Sequence, residues 1–158
     1  MHSEQQINTL AIEDLYESDY LLWLQETSRL LKAKDFERLD LANLIEEIEN
    51  LGRSERSKLR SSLRLIYQHL LKWQHQPNKR SKSWSDTIAR ERDNISDYLE
   101  DVPSLKKLLQ DEAVLAKAYQ RGRRDAIRDT GITNLPQDCS YSIEQTLDHN
   151  FFPDKLDL

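Results

Sequence analysis

The chain has 158 residues and a net charge of −5, with 37% apolar and 32% charged residues, three glycines, four prolines and one cysteine. So few turn residues exclude a sheet protein of this length, and the lone Cys139 excludes an internal disulfide. No apolar run approaches the roughly 18 residues of a membrane span, and the first residues lack the features of a secretion signal. We therefore expect an all-α, cytoplasmic protein that does not enter the membrane.

Apolar residues at steps of three and four predict a bundle of four principal helices. An N-terminal arm covers residues 1–15, a single helical domain covers residues 16–153, and residues 154–158 form the C-terminal end. The predicted helices span residues 18–32, 36–76, 83–101 and 104–130, and a short helix follows at 142–148. Gly131 stands where a helix ends in the left-handed conformation.

The second helix has an apolar stripe along its whole length, formed by Leu41, Leu44, Ile45, Ile48, Leu51, Leu59, Leu63, Ile66, Leu70 and Trp73. A straight helix of about 38 residues would be near 57 Å long, whereas a compact chain of this size has a radius of gyration of about 15 Å. We therefore expect this helix to bend, break or project. Gly52 is its weakest point, since glycine costs about 1 kcal/mol relative to alanine in a helix.

Polar side chains interrupt the inward stripes of two helices. Glu55 and His69 follow the stripe of the second helix, and Arg92 follows that of the third. A buried charge needs a partner, so we predict a Glu55–Arg92 ion pair with His69 nearby as a structural polar core. A pocket in which Glu55 and His69 exchange protons with a substrate is the alternative. It requires a broken helix, because 14 residues span about 21 Å.

Metal binding has little support in the sequence, and no cofactor is expected. Glu46, Glu47 and Glu49 have no histidine three residues further on, as a di-iron bundle would need. His69 and His75 point about 240° apart around a helix. We therefore interpret the three glutamates as a solvated acidic surface.

Two patterns point to nucleic acid. Arg64 and His69 have the spacing of the arginine and histidine in HEPN-type ribonucleases, although Leu65 replaces the polar residue that usually follows the arginine. Residues 72–84 combine basic and aromatic side chains without an acid, a composition that can hold phosphates and stack on bases. The candidate binding residues there are Lys72, Trp73, Lys79, Arg80 and Trp84. The alternative is that the two tryptophans close the end of the bundle.

The charge is uneven along the chain. Residues 1–51 carry a net charge of −8, residues 52–92 a net charge of +8 and residues 93–158 a net charge of −5. The basic block could bind an anionic partner, or acidic and basic helices could neutralise each other as neighbours. We favour neutralisation, because the acidic blocks are about as strong as the basic one.

Four groups of residues carry a resemblance to a known family. They are residues 43–49 with 52–55, residues 69–74 with 76–77, residues 80–81 with 83–84 and 87–88, and the tail residues Pro136, Cys139, Phe152 and Pro153. In this order they resemble the bacterial, chiefly cyanobacterial, domain of unknown function family 29. Ser140 and His75 depart from its usual proline and aromatic residue. The resemblance implies an all-helical bundle but no agreed activity, so it transfers no catalytic residue.

The sequence thus leaves open whether the protein is an enzyme. A non-enzymatic protein-interaction module is the leading hypothesis, with residues 73–84 and the basic block as its contact surface. The alternative is an RNA- or DNA-binding protein, or a metal-independent ribonuclease that uses Arg64 and His69, with Glu55 a further catalytic candidate. A protein partner, a second copy of the chain and nucleic acid all remain open as partners.

Overall fold

The computed structural model describes residues 11–154, which form helices and connecting turns without a strand. The predicted all-α helical bundle is confirmed. The chain divides into two compact units, Met1–Ser54 and Glu55–Leu158, and each unit is described separately below. The single domain predicted over residues 16–153 stays a prediction.

The helices follow one another along the chain with short connections. They are α1 (Ile12–Ser18), α2 (Tyr20–Lys32), α3 (Leu41–His75), α4 (Lys82–Asp101), α5 (Glu112–Thr130) and α6 (Ile143–Leu147). Three 3-10 segments lie between them, at Phe36–Arg38, Pro77–Lys79 and Pro103–Gln110. The long helix α3 is continuous through Gly52, so of the three possibilities left open by the sequence, a bend, a break or a projection, a break does not occur.

The N-terminal prediction was wrong in part, because α1 begins at Ile12 and includes residues that were assigned to an arm. Residues 1–10 of the predicted arm lie outside the described residues. Asp19 has an extended backbone that separates α1 from α2, and its side chain accepts a hydrogen bond from the Leu22 amide at 3.1 Å. The aspartate thus ends one helix and caps the next.

The fourth predicted helix also starts later than expected. Pro103–Gln110 forms the 3-10 segment, and α5 begins at Glu112 because the Asp111 carboxylate accepts hydrogen bonds from the amides of Ala113 and Val114. Gly131 ends α5 in the left-handed conformation, with φ of 73°, as predicted. The short helix predicted at 142–148 is confirmed as α6.

The second unit has one apolar core in which α3 and α5 make close contact. Leu59, Leu63, Ile66 and Leu70 of α3 are fully buried in it. A Cβ atom on Gly122 of α5 would lie 2.6 Å from the carbonyl oxygen of Arg64. The absence of a side chain at Gly122 therefore permits the two backbones to approach each other.

The first unit has a smaller core centred on Trp23. The Trp23 indole donates a hydrogen bond to the Asp40 carboxylate at 3.0 Å, and both side chains are buried. The hydroxyl groups of Tyr16 and Tyr20 donate hydrogen bonds of 2.6 and 2.8 Å to the two carboxylate oxygens of Glu47. These contacts hold α1 and α2 against the beginning of α3.

Candidate functional site

The predicted ion pair between Glu55 and Arg92 was wrong. The Glu55 side chain is 39% exposed and pairs with Lys58 at 3.0 Å, one turn further along α3. Arg92 is 2% exposed, and its guanidinium donates hydrogen bonds to three backbone carbonyls of the C-terminal segment. These bonds reach Thr146 at 2.8 Å, Phe151 at 2.9 Å and Gln145 at 3.3 Å.

The environment of Arg92 is unusual for a cation, since backbone carbonyls rather than a carboxylate accept its hydrogen bonds and its buried Nη1 atom has no hydrogen-bond partner within residues 11–154. Burial lowers the pKa of Arg92 to about 10, and the charge of Asp148 partly opposes that shift. The guanidinium also lies 5.5 Å from the centre of the Phe152 ring. Arg92 therefore holds α6 and the segment after it against α4. This structural role agrees with the inward position that was predicted for Arg92.

His69 is half-buried in α3 and bonds within its own helix. Its Nδ1 atom lies 2.8 Å from the carbonyl oxygen of Leu65. Burial lowers the pKa of His69, although the Leu65 carbonyl acts in the opposite direction. Because α3 is continuous, Glu55 and His69 remain about 21 Å apart along the helix and cannot act in one pocket.

Arg64 is engaged in an ion pair between α3 and α5. Its Nη2 atom lies 2.8 Å from Oδ1 of Asp125, and its Nε atom donates a second hydrogen bond to Oδ2. These hydrogen bonds hold the pKa of Asp125 below its ordinary value, although burial opposes them. Arg64 and His69 are also about 140° apart around the helix, since each residue adds about 100°. The structure therefore does not bring the two candidate nuclease residues together on one face.

The basic segment of residues 72–84 is largely occupied by internal contacts. Lys72 is only 13% exposed; it bonds to Asp129 at 3.1 Å and lies over the Trp84 ring. Arg80 donates a hydrogen bond to the Trp73 carbonyl at 2.8 Å. The centres of the Trp73 and Phe152 rings lie 4.8 Å apart, and Trp84 is covered by Lys72, so both tryptophans pack internally. Lys79 is exposed.

Within residues 11–154, neutralisation between neighbouring helices accounts for two of the eleven basic residues of the basic block, residues 52–92. In the second unit, Arg64 and Lys72 of α3 pair with Asp125 and Asp129 of α5. The sequence analysis did not predict these partners. Arg64 and Lys72 lie on the side of α3 that contacts α5, and the two aspartates lie on the facing side of α5. The signal was the spacing of four residues between Asp125 and Asp129, which places both on one side of α5.

Residues 11–154 contain neither a cluster of metal-ligating side chains nor a helix suited to span a membrane. No three side chains of His, Cys, Asp or Glu come together there in a group that could hold a metal ion. Within the same range, no helix combines the length and the apolar character that crossing a bilayer requires. Both carboxylate oxygens of Glu47 accept hydrogen bonds from Tyr16 and Tyr20. Glu47 is therefore engaged by the two tyrosines and does not form an acidic cluster with Glu46 and Glu49.

The feature that sequence reasoning missed lies in the first unit. Ten large apolar side chains there are between 39% and 69% exposed, and we call them the exposed apolar set: Tyr20, Leu21, Leu22, Leu24, Leu31, Phe36, Leu41, Ile45, Ile48 and Leu51. Among the described residues of the second unit, 55–154, no large apolar side chain is in the exposed class. The exposed surface of the first unit is therefore much more apolar than that of the second.

Four members of this set were expected to lie inward. Leu41, Ile45, Ile48 and Leu51 continue the stripe that is buried from Leu59 onward, and we call these four the α3 stripe. Helix α3 has 35 residues, whereas α4 has 20 and α5 has 19. A helix rises about 1.5 Å per residue, so neither of the shorter helices is long enough to cover the whole of α3.

Comparison with known proteins adds one finding. The family model described as domain of unknown function DUF29 matches residues 15–152. No curated protein and no solved structure matches the chain. The match extends over all the residues that carry the sequence resemblance except Pro153.

Proposed function

The chain belongs to the family described as domain of unknown function DUF29, and we propose that it is a non-enzymatic protein-interaction module. The observation that carries the proposal is the exposed apolar set, whose ten members all lie between Tyr20 and Leu51. Monomeric proteins rarely expose contiguous apolar patches of more than a few hundred Å². We therefore assign the contact surface to the first unit rather than to residues 73–84.

The amount of exposed apolar surface supports this assignment. The ten side chains expose between 39% and 69% of their area, which at roughly 150 Å² for a large side chain sums to roughly 800 Å². One partner in a standard protein–protein interface contributes about 800 Å². The set is thus large enough for a specific protein contact, even if a partner covers only part of it.

The polar groups of the first unit support a binding role rather than a catalytic one. Asp40 accepts the Trp23 indole hydrogen, and Glu47 accepts the hydroxyl hydrogens of Tyr16 and Tyr20. These buried and half-buried groups fix the positions of α1, α2 and α3 within the unit. A rigid scaffold that presents aliphatic side chains is suited to docking another protein. We place the protein in the cytoplasm, on the sequence grounds given above.

Site-specific photo-crosslinking tests the proposal. A photoreactive amino acid replaces Ile48 in the α3 stripe, and in a matched variant it replaces Asn50, which is exposed on another side of the same helix. We expect irradiation in a native lysate to yield protein adducts at position 48 and few at position 50, with the crosslinked partner peptide identified by mass spectrometry. Equal yields at both positions, or no protein adduct at position 48, would contradict an interaction role for this surface.

A further inference from the structure

The α3 stripe has the geometry of a helix-packing surface. Leu41, Ile45, Ile48 and Leu51 follow one another at steps of four, three and three residues and are between 48% and 69% exposed. Such a row spans about 15 Å along the helix. A second helix that lies along the row can insert its own side chains between these four, as ridges pack into grooves.

The charge of the first unit indicates what kind of helix this surface accepts. Residues 11–54 contain 11 acidic and 5 basic side chains, a net charge of −6. Three of the basic residues already pair with neighbours on their own segments: Arg29 with Glu26, Arg38 with Asp35 and Arg53 with Glu49. Within residues 11–154, the exposed Glu46 is in no ion pair. The first unit, which carries the stripe, therefore has a surplus of acidic charge.

A second copy of the chain fits this surface less well. Two first units in contact would bring two net charges of −6 together, and like charges across an interface oppose association. The second unit of another copy has no large exposed apolar side chain among its described residues to offer to the stripe. Charge complementarity and the spacing of the stripe both favour a basic partner with its own apolar row.

From these observations, and resting on the interaction role proposed above, we infer that the α3 stripe binds an amphipathic helix with basic flanks on a protein partner. The aliphatic row of the partner helix packs against Ile45 and Ile48. The lysines or arginines of that helix face acidic side chains such as Glu46 and Glu49. The apolar contact supplies affinity, and the charges orient the helix and exclude acidic partners.

Fluorescence anisotropy with a synthetic peptide tests the inference. The probe is a fluorescein-labelled leucine–lysine peptide of about 14 residues with leucines at helical spacing, long enough to cover the roughly 15 Å of the stripe. One comparison peptide has the same composition in scrambled order, and another has glutamate in place of lysine. We expect the basic amphipathic peptide to bind about tenfold more tightly than either comparison peptide.

Protein variants locate the binding. Ile45→Gln with Ile48→Gln keeps the net charge and helix propensity, and we expect it to weaken peptide binding about tenfold. The matched control is Asn50→Gln with Ser54→Gln, on exposed positions on another side of the same helix, which should bind within about twofold of the parent chain. Glu46→Gln with Glu49→Gln should weaken binding several-fold at low salt and reduce its salt dependence. Circular dichroism confirms that each variant is folded.

The outcomes separate this inference from the proposed function. Equal binding of the scrambled or acidic peptide, or unchanged binding by the Ile45→Gln/Ile48→Gln variant, would overturn the basic-helix partner. Adducts at position 48 would in that case still support a protein-interaction module with another kind of partner. An adduct with twice the mass of the chain would identify a second copy as the occupant and would overturn the inference as well. Loss of both peptide binding and adducts would remove both proposals.

Discussion

The guanidinium of Arg64 on α3 binds the carboxylate of Asp125 on α5 through two hydrogen bonds, one of them 2.8 Å between Nη2 and Oδ1. Arg128 pairs with the same carboxylate from the next turn of α5. Gly122 lies one turn earlier on α5, where the absence of a side chain lets the two backbones approach each other closely. An arginine with the spacing of a nuclease motif is thus part of the contact that holds two helices together.

Removing the charge of Asp125 should destabilise the second unit. Asp125 is buried and accepts two hydrogen bonds from Arg64 and one from Arg128. Asp125→Asn weakens these three charge-assisted bonds, and we expect a loss of about 1–2 kcal/mol in the free energy of unfolding. Urea unfolding at neutral pH measures it. The control is Asp86→Asn, whose exposed partner Lys82 lies on the same helix and whose loss should be no more than about 0.5 kcal/mol. Equal losses in the two variants would show that the Arg64–Asp125 pair is not a structural contact.

Gly122→Ala should lower the stability of the protein, whereas the same substitution at an ordinary helical glycine raises it. Gly→Ala inside a helix normally stabilises it by about 1 kcal/mol. At Gly122 the new methyl group would meet the Arg64 carbonyl oxygen at 2.6 Å, so α5 must move away from α3, and we expect a net loss of about 1–3 kcal/mol. Thermal unfolding measures the change, and the exposed α5 variant Arg121→Ala should stay within about 0.5 kcal/mol of the parent. A more stable Gly122→Ala variant would contradict the close packing.

Replacing Arg92 should release the C-terminal segment before the rest of the unit. Arg92→Lys retains the charge but loses the planar group that reaches the carbonyls of Thr146, Gln145 and Phe151. We expect hydrogen exchange of residues 142–153 to accelerate at least about tenfold, with smaller effects in α3. Arg90→Lys is the control, since that side chain is 60% exposed. Uniform acceleration along the chain would indicate that Arg92 supports the whole core rather than this segment.

Two histidines should make the protein less stable in mild acid. Burial lowers the pKa of both His69 and His75 below the ordinary value of 6.5, so folding favours their neutral forms. Their contribution to stability is therefore complete above about pH 6.5 and is lost as the pH falls towards their folded pKa values. Urea unfolding at about pH 7.5 and about pH 5.5 measures the loss.

The histidine variants check the origin of that pH dependence. We expect His69→Gln combined with His75→Gln to reduce the loss between the two pH values. A pH dependence that persists in the double variant would assign the effect to other groups.

The internal contacts of Trp73 and Trp84 lead to a prediction about RNA. Since Lys72 and Arg80 are bound to protein groups, we expect labelled mixed-sequence RNA to bind only weakly and to remain intact on a denaturing gel. Fluorescence anisotropy at low and moderate salt measures the binding. Tight, salt-sensitive binding, or cleavage that disappears in His69→Ala, would instead support the nucleic-acid alternative.

The sequence determined the helical elements through local chemistry. Apolar spacing located the main body of α2, α3, α4 and α5, and a terminating residue such as Gly131 acts within a few residues of its own position. The errors at this level were also local. Asp111 caps α5 and divides a stretch, residues 104–130, that apolar spacing alone had joined, whereas Asp19 separates α2 from α1, whose first residues had been assigned to the arm.

Only the tertiary structure decided which side chains are covered and which charges meet. Ile48 and Leu63 belong to one helical stripe, but Ile48 is 60% exposed whereas Leu63 is fully buried. Periodicity within a helix cannot reveal this difference, because coverage depends on the lengths and positions of the other helices. Arg92 was expected to bind Glu55 and instead binds carbonyls from residues more than 50 positions away. A sequence pattern specifies the side of a helix that a group occupies, whereas its partner depends on which distant segment packs there.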